Sequence, residues 1–306
     1  MTIHNPILRG FHPDPSIVRV GEDYYLATST FEYFPGVEIH HSRDLAHWRL
    51  LTRPLDRLSL LNLAGVGASQ GVWAPDLSWC DGTFYLVYTV VTSFYCNMYD
   101  THNYVTTAKN ILGPWSEPVR LNDYGFDPSL FHDEDGRKYI VSMVTDHRVP
   151  KKYAGRLVLQ EVDAATLAPA SEVREIYAAN PVYMEGPHIY RHNGLYYLFA
   201  ADTGTGELHG QSVLRSVSVW GPYEMYHPQN ALRETDGEAW SLLTARHHPT
   251  HPLQKTGHAD LFQTQTGEWF AVYLCGRPSD RCNSPVALKA PGARRAPLRR
   301  WQRWRT

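Results

Sequence analysis

The sequence predicts an all-β chain folded as a five-bladed β-propeller, and three observations carry that expectation. First, one local pattern occurs five times: a short strand, a Gly-containing turn and an aromatic second strand, the shape of a β-hairpin. Two copies are Asp14-Pro15-Ser16-Ile17 leading to Tyr24-Tyr25-Leu26, and Ala74-Pro75-Asp76-Leu77 leading to Phe84-Tyr85-Leu86. Asp127-Pro128-Ser129-Leu130 leads to Tyr139-Ile140, Glu185-Gly186-Pro187-His188 to Tyr196-Tyr197-Leu198, and His258-Ala259-Asp260-Leu261 to Trp269-Phe270. Second, aligning the copies on the aromatic strand puts Asp14, Ala74, Asp127, Glu185 and His258 at one position, at spacings of 60, 53, 58 and 73 residues. That suits one four-stranded sheet plus loops per copy. Third, 19 Tyr, 9 Trp, 22 Gly and 21 Pro in 306 residues favour strands and turns. In a radial array the innermost strands line the axis, so Asp14, Asp127 and Glu185 are expected to converge on one central pocket.

In blade one, Pro13 and Pro15 restrict the chain beside Asp14 and imply locally extended backbone. Residues 23–30 read as the second strand, 37–42 as the third, and 42–48 as a polar turn into an outer strand. The aromatic loop at 31–36, beginning with Phe31, is placed to form a pocket wall. Blade two has the small Ala74 at the axis, which leaves space, and Trp73 beside it reads either as a sugar platform or as a core tryptophan. Its outer part ends near Gly113-Pro114-Trp115, matched in blade four by Gly221-Pro222-Tyr223. Blade three carries Asp127 and the turn Asp133-Glu134-Asp135-Gly136, which lacks calcium-loop spacing and reads as a solvated turn. Blade four carries Glu185, followed by a hydroxyl-bearing loop with Thr205. The His-rich stretch at 247–252 reads as a surface loop, and blade five puts His258 at the axis in a polar role.

The five blades take up residues 1–277 as one catalytic domain, leaving 278–306 as a basic, irregular tail expected to be disordered. That tail has a local charge of +7 against a formal net charge of −2, so the body is acidic, which argues against nucleic acid as a partner. No apolar run is long enough to span a membrane, and the N-terminal residues lack signal-peptide character. Cys80, Cys96, Cys275 and Cys282 show no paired spacing and read as reduced thiols, so a cytoplasmic location is expected; a homo-oligomer is compatible with all of this.

Two carboxylates across a pocket are what glycoside hydrolysis needs, one protonated to assist the leaving oxygen and one ionised to activate water or attack carbon. A third acid nearby raises the proton donor's affinity for its proton. A metal site built from the same oxygens competes with this reading, and an axial divalent cation such as calcium fits it, although hydrolysis by carboxylates requires no cofactor.

The motifs that carry a resemblance are Asn5-Pro6-Ile7-Leu8, His12-Pro13-Asp14-Pro15-Ser16, Ser29-Thr30-Phe31-Glu32-Tyr33-Phe34-Pro35-Gly36-Val37, Trp73-Ala74-Pro75, Phe126-Asp127-Pro128-Ser129-Leu130-Phe131 and Glu185-Gly186-Pro187-His188. Together they resemble glycoside hydrolase family 43, in its bacterial branch of β-xylosidases and α-L-arabinofuranosidases, over about residues 5–277. The resemblance implies a five-bladed propeller and an inverting exo-hydrolase that releases D-xylose from the non-reducing ends of β-1,4-xylo-oligosaccharides. An α-L-arabinofuranosidase or a catalytically impaired sugar-binding propeller are the alternatives. It further implies Asp14 as general base, Glu185 as general acid and Asp127 as the residue that orients the acid, with Phe31, Trp73, Thr205 and His258 lining the sugar pocket.

The pattern stops after Cys275-Gly276-Arg277-Pro278. Members of the branch continue with a Gly-Arg-Glu-Thr segment, whose arginine reaches into the pocket, and a C-terminal β-sandwich that closes over it. Neither is present in residues 278–306, as a truncated or frameshifted end would give, and weakened activity is the expected consequence.

Overall fold

A computed structural model describes residues 2–95, 98–149, 155–178, 183–226, 232–233, 240–246, 248–277 and 288–295. The first sheet comprises β1 (Ser16–Val20), β2 (Asp23–Thr28), β3 (Glu38–Ser42) and β4 (Arg49–Thr52). The second comprises β5 (Gly71–Cys80), β6 (Thr83–Tyr95), β7 (Met98–Ala108) and β8 (Val119–Asn122), and the third β9 (Phe126–His132), β10 (Lys138–Thr145), β11 (Gly155–Val162) and β12 (Arg174–Ala178). In the fourth, β13 (Met184–His192), β14 (Leu195–Asp202), β15 (Gly210–Ser216) and β16 (Glu224–Met225) are joined by β19 (Leu243–Thr244), which pairs with β15. A two-stranded ribbon, β17 (Leu232–Arg233) and β18 (Trp240–Ser241), precedes a three-stranded sheet of β20 (Gln254–Gln263), β21 (Trp269–Arg277) and β22 (Leu288–Arg295). Every pairing within the sheets is antiparallel. The first strands contact one another in a closed cycle, β1 beside β5, β5 beside β9, β9 beside β13, β13 beside β20 and β20 beside β1. The described residues are therefore all-β and propeller-like.

Core packing lies between successive sheets, and alternation along the second strands explains it. In β6, Phe84, Leu86 and Tyr88 face the first sheet while Tyr85 and Val87 face the third. In β14, Leu198 and Ala200 face the third sheet while Tyr197 and Phe199 face the last. Leu26 packs against Phe262 and Val272, which joins the first sheet to the last. Burying both faces requires an unbroken apolar run, and each fully buried Leu or Phe contributes about 1.5–3 kcal/mol before the cost of ordering it.

Three expectations are corrected by the strand pairing and contacts. The aligned positions Tyr25, Tyr85, Tyr139, Tyr197 and Phe270 pair with Val18, Ser78, Phe131, Tyr190 and Phe262. Four residues before these partners stand Asp14, Ala74, Asp127, Gly186 and His258, with φ of 52°, 33°, 51°, 55° and 52°. Glu185 thus precedes the equivalent position by one residue and shares its place with Trp73 and Phe126. The prolines flanking Asp14 do not hold it extended, because these residues sit at a left-handed kink where the chain turns inward. In the turn at 133–136, Glu134, Asp135 and Gly136 are exposed as expected, but Asp133 is buried: Arg191 Nη1 and the Tyr196 hydroxyl donate to its carboxylate at 2.8 Å each.

The tail expected to be irregular supplies β22, which pairs with β21 from Phe270↔Arg295 to Arg277↔Leu288. An unpartnered β21 would be an open sheet edge, so pairing satisfies its backbone even where side-chain alternation is absent. Cys96, Cys282, His247 and residues 278–287 and 296–306 lie outside the described residues. Cys80 is a free thiol, Cys275 is buried, and His248 and His251 are exposed in turns. No helix among the described residues is long and apolar enough to cross a membrane.

Candidate active site

The inward kinks deliver their side chains to the floor of an open pocket of about 1100 Å³. Asp14, Asp127, Glu185, Phe31, Trp73, Thr205 and His258 all line it, so the structure brings together every site residue read from the sequence. Asp14, Asp127 and His258 are buried, whereas Glu185 is half-buried. It stands one residue before the kink, at the position that Trp73 and Phe126 hold in their sheets.

Three sets of contacts fix the floor. The Ser29 hydroxyl donates to Asp14 Oδ2 at 2.8 Å, and His258 Nδ1 faces Asp14 Oδ1 at 3.4 Å. Asp127 Oδ2 accepts the Gly186 N–H at 3.0 Å, which ties the third sheet to the fourth next to Glu185. A Cβ on Gly186 would stand 2.5 Å from both Cδ2 and Nε2 of His258, so glycine is required there to admit the imidazole. The ring from the last sheet occupies the space that the fourth sheet leaves empty.

Burial raises the pKa of Asp127 first; His258 opposes the rise, and the charges of Glu185 and Asp14 add to it. For His258, burial alone would push the pKa down. The hydrogen bond to Asp14 and the charges of Asp14, Asp127 and Glu185 outweigh burial and raise it to about 9. At neutral pH the floor therefore holds one imidazolium among three carboxyl groups, one of which favours its protonated form.

The wall is aromatic. Trp73 packs against Phe126, Phe94 and Phe31 at ring-centroid distances of 5.6, 5.5 and 6.2 Å, and its indole N–H donates to Ser69 O. Both readings of Trp73 meet here, since it borders the pocket and also packs against a core cluster. Sequence reasoning missed Phe94, Tyr99 and Phe126 among the lining residues. Phe126 was legible as the repeat partner of Trp73; Phe94 and Tyr99 reach the pocket only because β6 and β7 are 13 and 11 residues long.

A second layer lies beneath the floor, two residues further along each first strand, at Ser16, Asp76, Ser129, His188 and Asp260. Asp76, His188 and Asp260, all buried, are the axial residues that could hold a divalent cation. Their oxygens are already engaged: Asp260 accepts from Ser16 Oγ, Ile17 N and the Tyr190 hydroxyl, and Asp76 from Leu130 N. A separate group of His12, Glu38 and His40 is closed by ion pairs of Glu38 with His12 and Arg53.

Comparison with known proteins gives the family. The model for "Glycosyl hydrolases family 43" matches residues 3–288. The chain is 49% identical over 278 residues to the Humicola insolens protein named "Xylosidase/arabinosidase 43B", a match covering 90% of this chain and 50% of that protein. It is 47% identical over 279 residues to the "Beta-xylosidase" of Bacillus subtilis, covering 91% and 50%. The crystal structure of a xylan beta-1,4-xylosidase from Bacillus halodurans superposes with a TM-score of 0.87 at 48% identity, covering 95% of this chain and 54% of the other. The chain thus spans about half the length of these three relatives.

Proposed function

Because the chain belongs to glycosyl hydrolase family 43, we propose that it is an inverting exo-glycosidase that releases D-xylose from the non-reducing ends of β-1,4-xylo-oligosaccharides. The observation that carries this reading is the convergence of Asp14, Asp127 and Glu185 from three different sheets on one aromatic-walled pocket. Glu185, partly open to the pocket, gives its proton to the glycosidic oxygen. Asp14 takes a proton from the water that attacks the anomeric carbon from the opposite face, so configuration inverts in one displacement. Asp127, held on the Gly186 N–H beside Glu185, orients the acid and favours its protonated form electrostatically. His258 balances the charge of the floor, and Phe31, Trp73 and Thr205 border the sugar. The proposed reaction requires no cofactor.

We read the three-stranded sheet as the fifth blade, since its axial residue repeats the kink of the other four, and residues 1–277 as the catalytic propeller. The free thiol of Cys80 supports a reducing, cytoplasmic setting. The name of the Humicola relative supports a second reading, α-L-arabinofuranosidase activity in the same pocket.

Release of p-nitrophenol from the β-D-xylopyranoside and the α-L-arabinofuranoside tests both readings. Asp14→Ala is expected to lower kcat by about 10³-fold or more. Glu185→Gln is expected to cost far less on these aryl substrates, whose leaving group needs little protonation, than on xylobiose. Turnover that survives Asp14→Ala would refute the assignment of the base. Folded protein that binds xylose without turnover would identify a sugar-binding propeller instead.

A further inference from the structure

Ser29 stands immediately after β2, only 2% exposed, and does not line the sugar pocket. It is nevertheless tied to the pocket floor at three points. Its N–H donates to Pro13 O at 3.0 Å, which fixes it against the segment carrying Asp14. Its hydroxyl donates to Asp14 Oδ2 at 2.8 Å. The same oxygen accepts the Ala74 N–H at 2.7 Å. With its acceptor side occupied by an N–H, the hydroxyl proton is directed at the carboxylate, and donors linked in this sense polarise one another. The other carboxylate oxygen, Oδ1, faces His258. Both ends of Asp14 are therefore held, one by a cation and one by a neutral hydroxyl.

This also gives the second sheet a part at the axis. Ala74 has no polar side chain, but its kinked backbone, with φ of 33°, points its N–H at Ser29. We propose that Ser29 is a positioning residue for the proposed base: driven by the Ala74 N–H, it holds the Asp14 carboxylate in one orientation and favours its ionised form. The inference rests on the reading of Asp14 as the base. A donor to a carboxylate stabilises the charged state, so removing it makes protonation easier. Ser29 acts through Asp14 rather than on the sugar, so its loss should appear in kcat and in the acidic limb of the pH profile, with little effect on KM.

The test compares the chain as given with Ser29→Ala and Ser29→Thr, each also combined with Asp14→Ala, on p-nitrophenyl β-D-xylopyranoside across about pH 4 to 9. Ser29→Ala is expected to lower kcat roughly 10- to 100-fold with KM changed less than about threefold, and to move the acidic limb to higher pH. Ser29→Thr restores the hydroxyl and most of the rate. In the Asp14→Ala background, Ser29→Ala costs nothing further, because the group it acts through is gone. A structural role alone would lower Tm, leave the acidic limb in place and cost the same in both backgrounds; that result overturns the proposal. A second measurement does not depend on turnover: ¹³C NMR titration of the Asp14 carboxyl, expected at higher pH in Ser29→Ala than in the parent. If the parent shows no Asp14-dependent hydrolysis, the functional reading fails, and the titration still decides: a shift upholds the Ser29 to Asp14 linkage and an unchanged curve refutes it.

Discussion

At Gly186 two requirements coincide. Its φ of 55° is unfavourable for a side chain, and a Cβ would press on the His258 ring at 2.5 Å. The ring has little freedom to yield, since it is buried and faces Asp14. Gly186→Ala is therefore expected to destabilise the fold by about 1–3 kcal/mol and to drive His258 away from Asp14. That separation removes the Asp14 hydrogen bond and weakens the Asp14 charge that help raise the imidazole pKa to about 9, leaving Asp127 and Glu185 to oppose burial, so the pKa falls. Thermal unfolding and kcat/KM at pH 7 check this; a Tm equal to that of the parent, with unchanged kcat/KM, would show that the ring moves aside freely.

Among the elements, the β6–β7 hairpin departs most from the repeat. It carries Phe94 and Tyr99 to the mouth of the pocket, where their rings stack at 6.4 Å and both pack against Trp73. Phe94 is 40% exposed, so it contributes more to the mouth than to the core. Truncation to Ala is expected to raise KM for xylotriose about 2- to 10-fold, the scale of one aromatic contact, with Tm nearly unchanged. An unaltered KM would place the oligosaccharide elsewhere. The sequence makes the second strand of each sheet legible, because burial on both faces demands an apolar run, as in Phe84 to Val91. It also makes the axial acids legible, because the repeat carries them. It misplaced Glu185 by one residue, since counting from the aromatic strand does not reveal how many residues a kink absorbs. It misread β22, since that strand meets its backbone's need for a partner without alternation in its side chains. Ser29 was invisible as a site residue, because its partners Asp14 and Ala74 lie 15 and 45 positions away.

At the scale of the molecule, the ring is joined by the polar layer beneath the pocket as well as by its apolar interfaces. Asp260 of the last sheet accepts from Ser16 and Ile17 of the first and from Tyr190 of the fourth, while Asp76 of the second accepts from Leu130 of the third. Two buried carboxyls this close cannot both ionise at low cost. Burial, and then the charge of Asp260, push the Asp76 carboxyl up to about 8. The folded chain thus keeps a proton on Asp76 that the unfolded chain releases near the usual carboxylate range. The stability linked to that proton is fully present below about pH 4 and is lost as pH rises through about 8. Asp76→Asn removes the titrating carboxyl beside Asp260 and can still accept the Leu130 N–H. Its stability relative to the parent is therefore expected to be near zero at pH 4 and to rise towards pH 8, at up to about 1.4 kcal/mol per pH unit. Thermal unfolding of both proteins across that range measures it. Parallel Tm curves would mean that Asp76 is already ionised in the fold, and that the ring tolerates two buried charges on its axis.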